Sequence, residues 1–166
     1  NIGENSTPLL LNPPIDKAAL NHLFIHNPAA FDPDGDSLSY KLTPCTSEDG
    51  QAIEGYTYPP AEHSFFVDSV SGDLIWDSPI DTGSYNVAIQ ISEWRNKIRI
   101  GSITRDMQID VFETDKNPPE IDSIPDFCIL AGDTINFIFS ATDIDNDSIK
   151  LAAMGGPFVV AETPAS

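Results

Sequence analysis

Apolar and polar residues alternate over much of this chain, and a side-chain period of two marks a half-buried β-strand. The clearest run is Tyr85-Asn86-Val87-Ala88-Ile89-Gln90-Ile91, apolar at the odd positions. It turns at Trp94-Arg95-Asn96-Lys97 into a partner from Ile98 to Phe112, which predicts a long hairpin. Inside that partner the apolar phase changes, from Ile98 and Ile100 to Ile103, Met107, Ile109 and Val111. A strand changes phase only through a bulge, and the pattern puts it at Gly101-Ser102. Leu38, Tyr40 and Leu42 predict another strand, and His63 to Val67 and Asp73 to Trp76 predict two more around a tight Ser71-Gly72 turn. Only Ile15 to Leu23, behind two prolines, carries a pattern that predicts a short helix.

The pattern pauses at Glu113-Thr114-Asp115-Lys116-Asn117-Pro118-Pro119, whose paired prolines stiffen a linker and cannot join a central strand. It then restarts. Phe127 to Leu130, a turn at Ala131-Gly132-Asp133, a run with Ile135, Phe137 and Phe139 on one face, Ile149 to Met154 and Gly155-Gly156-Pro157 follow in order. The division is therefore 1–116 as a complete all-β domain and 117–166 as the first half of a second. A sandwich domain needs ~100 residues, so the second copy is expected to be truncated and the chain to be a piece of a longer protein.

Composition narrows the class. Acidic residues outnumber basic ones 26 to 8, a formal charge of −18. Nucleic-acid binding needs a positive surface to displace counter-ions, so it is excluded, as is docking on anionic membranes. No stretch has the apolar length of a membrane span. An excess of carboxylates suits divalent cations and keeps a secreted protein in solution. Cys45 and Cys128 fall in different predicted domains and are expected to be unpaired or bonded elsewhere.

Two Asp-rich loops give those carboxylates a pattern. Asp32-Pro33-Asp34-Gly35-Asp36 and Asp143-Ile144-Asp145-Asn146-Asp147 stand 111 residues apart (32 to 143), each before an alternating strand. Carboxylates at every second position repel unless a cation lies between them, which points to a hard-cation site, Ca²⁺ first, in a repeated domain. An EF-hand requires Gly at loop position six and Glu at twelve. The first loop has Ser37 and Thr43 there, the second Ser148 and Met154, so neither is an EF-hand. The competing account is a surface turn in which Asp merely accepts its own backbone N–H bonds.

The run Phe66-Val67-Asp68-Ser69-Val70-Ser71-Gly72-Asp73-Leu74-Ile75-Trp76-Asp77, followed by Gly83-Ser84-Tyr85-Asn86-Val87-Ala88-Ile89, resembles the second half of a cadherin-like sandwich. Trp76-Asp77-Ser78-Pro79 and Thr82-Gly83 make it most similar to the dystroglycan-type cadherin-like modules of bacterial surface proteins, and Asp32 to Asp36 resembles their Asp loop. Both predicted domains are similar to repeats of large bacterial surface proteins of the gliding-motility-associated type. The resemblance implies an Ig/cadherin-like antiparallel β-sandwich in tandem, secreted or on the cell surface. It implies a role in adhesion or spacing, with other repeats, a cell-surface protein or a polysaccharide as partners. Asp115 and Asn117 resemble the linker acids of that family and join Asp32, Asp34, Asp36, Asp143, Asp145 and Asp147 as candidate Ca²⁺ ligands. The family's further acidic motif is absent at Asp77-Ser78-Pro79 and Asp81-Thr82-Gly83. One ion per loop, or one shared with Asp115 and Asn117, is therefore expected rather than a three-ion clamp.

Other chemistry is thin. His22 and His26 have metal spacing only on a helix, no nucleophile elbow or phosphate loop occurs, and the carboxylate pairs Glu48/Asp49 and Glu93/Asp106 have no distance fixed by sequence. The chain reads as non-enzymatic. The second reading is a carbohydrate- or protein-binding module, using the loop from Cys45 to Pro60 and Trp94, which the sequence places exposed at a hairpin tip.

Overall fold

Alternation along Gly83–Arg95 and Ile98–Phe112 builds the hairpin around which the fold is organised. The computed structural model describes residues 3–125, 127–130, 132–155 and 158. The strands are β1 (Leu9–Leu10), β2 (Ile15–Ala19), β3 (Leu23–His26), β4 (Ala30–Phe31), β5 (Ser37–Thr43), β6 (Ala61–Val67), β7 (Leu74–Pro79), β8 (Gly83–Arg95) and β9 (Ile98–Phe112). Two short strands follow, β10 (Glu120–Ile121) and β11 (Ala141–Thr142). The chain divides into two units: Asn1–Glu113 together with Met154–Ser166, and Thr114–Ala153.

In the first unit β2-β9-β8-β5 form one sheet and β3-β7-β6 another, while β1 and β4 pair separately. Val87, Ile89 and Ile91 of β8, Met107, Ile109 and Val111 of β9, and Leu74 and Trp76 of β7 belong to one buried cluster, so the two main sheets share a core. This is an all-β, sandwich-like architecture. Trp76 is fully buried, its indole N–H donating to the Pro60 carbonyl at 3.1 Å. Its ring meets Phe65 and Tyr85 edge-on at 5.5 and 5.1 Å. Such edge-to-face pairs align ring quadrupoles favourably and add to the burial term.

The hairpin turn consists of Asn96 and Lys97, both with positive φ (54° and 65°). A two-residue turn of that hand matches the right-handed twist of its strands. The phase change in β9 is a bulge: Glu93 pairs with Gly101 but Trp94 with Arg99, leaving Ile100 out of the ladder, one residue before the expected place.

Two expectations are corrected in this unit. Ile15 to Leu23 is not helical: β2 runs from Ile15 to Ala19, pairing with Gln108–Phe112. The edge of β9 offers a row of backbone groups, and an alternating segment gains more from that ladder than from a short helix. That pairing is parallel, so the sheet is not purely antiparallel.

The second unit has less regular structure than its apolar pattern predicts. Among the described residues its strands are β10 and β11 alone, and Phe127 to Leu130, Ile135 to Phe139 and Ile149 to Met154 run without ladders. Alternation shows which face a strand would bury, but a strand also needs a partner and a layer to pack on. Phe137 does contact Phe127 and Phe139, at centroid distances of 5.2 and 6.0 Å, and the Asp133 N–H closes the expected turn onto the Leu130 carbonyl at 3.1 Å. Ala131 of that turn, Gly156-Pro157 and residues 159–166 lie outside the described residues.

Candidate metal centre

The first Asp loop links β4 to β5, and its shape follows from one side chain. Asp32 is 4% exposed, and its Oδ1 accepts the backbone N–H groups of Asp34 and Asp36 at 2.9 and 3.0 Å. Gly35, at φ +77°, lets the turn close, its N–H reaching the Asp32 carbonyl at 3.2 Å. Folded this way, Asp32, Asp34 and Asp36 each offer a carboxylate oxygen within 4.8 Å of the others. The Asp32 Oδ2 atom is buried without a hydrogen-bond partner. A buried carboxylate oxygen left unpaired carries the full cost of its desolvation. The donor set is all oxygen, which fits a hard divalent cation.

The second loop repeats this geometry. Asp143 Oδ1 accepts from the N–H groups of Asp145 and Asp147 at 2.9 and 3.0 Å, and Asn146 takes the place of Gly35 at φ +59°. Asp143, Asp145 and Asp147 again cluster within 4.8 Å. The surroundings match at the same offset of 111. Leu9 pairs with Phe31 as Glu120 does with Thr142, and the Ser6 N–H reaches Asp34 as the Asn117 N–H reaches Asp145, both at 2.6 Å. That Asn117 bond holds the half-buried Asp145 carboxyl below its ordinary value.

Asp115 and Asn117, the linker candidates, lie differently with respect to the second loop. Asp115 is exposed and lies outside the carboxylate cluster, because the backbone brings its neighbours to the loop instead. Asn117 reaches Asp145 as a donor, its side-chain amide at 3.3 Å from Oδ2.

Three residues outside the Asp loops, Arg95, Asn5 and Glu93, are linked to the first of them. Arg95 grips Asp36 with a two-pronged bond, Nε to Oδ1 at 2.7 Å and Nη2 to Oδ2 at 2.6 Å. It also donates to the Glu4 carbonyl and to Asn5 Oδ1, at 3.1 and 3.2 Å. Asn5 in turn donates to Oε1 of Glu93 at 2.8 Å, and Glu93 is 1% exposed. The bond to Asp36 raises the already high Arg95 pKa, so the guanidinium is always charged. A Cβ on Gly101 would overlap Glu93 Oε2, so glycine is what lets β9 pass that carboxylate. The sequence does carry a signal for Glu93, which continues the odd series Tyr85, Val87, Ile89, Ile91 onto the buried face. For Asn5, far away in the chain, it carries none.

Elsewhere the expected contacts change character. Trp94 is not an exposed tip residue: the turn lies at Asn96-Lys97, and Trp94 is half-buried with its N–H on Ser39 Oγ at 2.7 Å. In the loop from Cys45 to Pro60, the Tyr56 hydroxyl donates to the Asn86 carbonyl at 3.1 Å, and Cys45 is buried. A shallow depression beside it, about 300 Å³, is lined in part by Asn86, Asp106 and Gln108. Cys45 and Cys128 are both free thiols. His26 is buried on β3 with Nδ1 against Asp16 at 2.8 Å, and His22 Nδ1 meets the Leu20 carbonyl at 2.8 Å, so they form no helical metal pair. Among the described residues no helix is long and apolar enough to cross a membrane.

No family model and no curated protein matches this chain. Among solved structures it is similar to a nucleoside hydrolase-related hypothetical protein from Saccharophagus degradans associated with carbohydrate metabolism, at 14% identity and a TM-score of 0.41. That likeness covers 68% of this chain and 27% of the other, and carries no functional inference.

Proposed function

We propose that this chain is a non-enzymatic extracellular repeat of a surface protein, serving adhesion or spacing and stiffened by Ca²⁺ bound at its Asp loops. The observation that carries the proposal is the buried, unpartnered Asp32 Oδ2 beside the carboxylates of Asp34 and Asp36. A turn in which Asp only caps its own backbone would need Oδ1 and would have no use for a second oxygen withdrawn from water. The shared offset of 111 supports the tandem arrangement, since loop, flanking strand pair and incoming backbone bond recur together. The cadherin-like resemblance of the Phe66–Ile89 run agrees with such a repeat.

Asp32, Asp34 and Asp36 would hold one ion, and Asp143, Asp145 and Asp147 another. The ion supplies charge neutralisation. Asp32 shapes the loop through two backbone bonds, Asp34 ties it to the incoming chain at Ser6, and Asp36 ties it to the β8–β9 hairpin through Arg95. An ion that binds this assembled loop and not the unfolded chain stabilises the fold by mass action. Ca²⁺ is favoured over Mg²⁺ because irregular, carboxylate-rich loops tolerate its variable coordination, whereas Mg²⁺ demands a near-octahedral shell. Calorimetry on EDTA-stripped protein should give a saturable heat with millimolar Ca²⁺ and a raised melting temperature. No heat and an unmoved melting point would refute the proposal.

A further inference from the structure

We infer that Arg95 is a built-in counter-ion that sets how tightly the first Asp loop holds a divalent cation. The inference rests on the proposal that this loop binds such an ion. The Asp36 side chain is 4% exposed and the Arg95 side chain 23%, so their two-pronged pair is largely shielded from water. The Glu4 carbonyl and Asn5 Oδ1 also accept from the guanidinium and fix it in place. A planar fork held at several points loses little further entropy by staying there, unlike a mobile ammonium.

The second loop is served differently. Lys116 lies 3.3 Å from Asp147, the counterpart of Asp36, but both side chains are more than half exposed, at 56% and 55%. Such a pair is screened by solvent and contributes little. One loop thus carries a fixed positive charge on its third carboxylate and the other a loose one.

Two consequences follow for the first loop. Its carboxylates are partly neutralised without any ion, so the loop can fold empty. An arriving divalent cation then meets a resident positive charge, and its affinity is lowered. The ion site is set for a high-calcium environment by an arginine on a neighbouring hairpin. Removing one unit charge from beside a divalent ion is worth roughly tenfold in affinity.

The test uses the full chain with the second loop silenced by Asp145→Asn, titrated with CaCl₂ in a calorimeter and melted in parallel in EDTA. Arg95→Gln on that background should bind Ca²⁺ about tenfold more tightly and melt at a lower temperature in EDTA. Arg95→Lys, which keeps the charge, should stay near the parent affinity. If the parent binds Ca²⁺ and Arg95→Gln binds no more tightly, the inference is overturned while the site stands. If Arg95→Lys gains as much as Arg95→Gln, charge is not the cause and the inference also falls. If neither parent nor Arg95→Gln gives heat, the loop is no cation site and both readings fail. A silent parent with a binding Arg95→Gln is the inference in its strongest form. Should Arg95→Gln be unfolded in EDTA, folding on addition of Ca²⁺ supports it and persistent disorder overturns it.

Discussion

Replacing Asp32 by Asn and by Ala separates the two jobs assigned to that carboxylate. In metal-free buffer Ala forfeits both bonds from the Asp34 and Asp36 N–H groups, at 2.9 and 3.0 Å. Hydrogen bonds to a charged acceptor are worth ~1.5–3 kcal/mol each, and relief of repulsion among three carboxylates returns part of that. The net cost of Ala is ~2–4 kcal/mol. Asn keeps an oxygen where Oδ1 stands and loses only the charge, so its metal-free cost is ~1 kcal/mol or less. Calcium reverses the emphasis. At a hundredfold above its dissociation constant an ion stabilises the native state by ~2.7 kcal/mol, and Asn should forfeit most of this. At ~4 °C per kcal/mol for a domain of this size, the melting gap between wild type and Asp32→Asn should widen by ~10 °C when EDTA is replaced by Ca²⁺. Tryptophan fluorescence is a suitable signal, because Trp76 and Trp94 both lie in the first unit. A gap equal in the two buffers would refute the ligand role, and an Asn variant as damaged as Ala in EDTA would refute the separation.

Two further outcomes follow from the packing. Gly101→Ala forces the Glu93 carboxylate off Asn5 or pushes β9 away, and should cost ~1.5–3 kcal/mol in urea unfolding; a loss under ~0.5 kcal/mol would show that the approach is not tight. Burial raises the Asp16 pKa, but the His26 and Lys17 hydrogen bonds outweigh it, so the folded carboxyl sits below 3.8. A depressed carboxyl contributes stability above its unfolded pKa that disappears as pH falls through the folded value. Wild type should therefore lose more stability than Asp16→Asn on acidification from pH ~5 to ~2, and parallel acid melts would contradict the pairing.

The strands of the long hairpin, β5 to β7 and the positions of both Asp loops are legible in the sequence because each is a local pattern, alternation or turn chemistry. What escapes it is set by distant partners. β2 reads as helical because nothing near Ile15 reveals an edge waiting at Gln108 to Phe112, and a parallel pairing leaves no turn signal. Arg95 reads as part of a hairpin tip, since its partner Asp36 lies 59 residues away. The apolar runs of the second unit have the alternation of strands, yet alternation cannot say whether a ladder partner exists. Glu93 is the recoverable miss: its place in the odd series of β8 is enough, by alternation alone, to mark it as inward.

The pairing of β2 with β9 also decides how this unit would bear a pull. The chain enters the main sheet through β2 and leaves it through β9, and the two lie side by side in the same direction, Ile15 beside Gln108 and Ala19 beside Phe112. Tension applied at the two ends drags these strands past one another along their length. The ladder bonds lie across that direction, so they share the load and must break together rather than open one at a time like a zipper. The short β1–β4 pairing lies outside that clamp and can peel away first. The parallel edge strand therefore acts as a shear clamp between the points where the chain enters and leaves the main sheet.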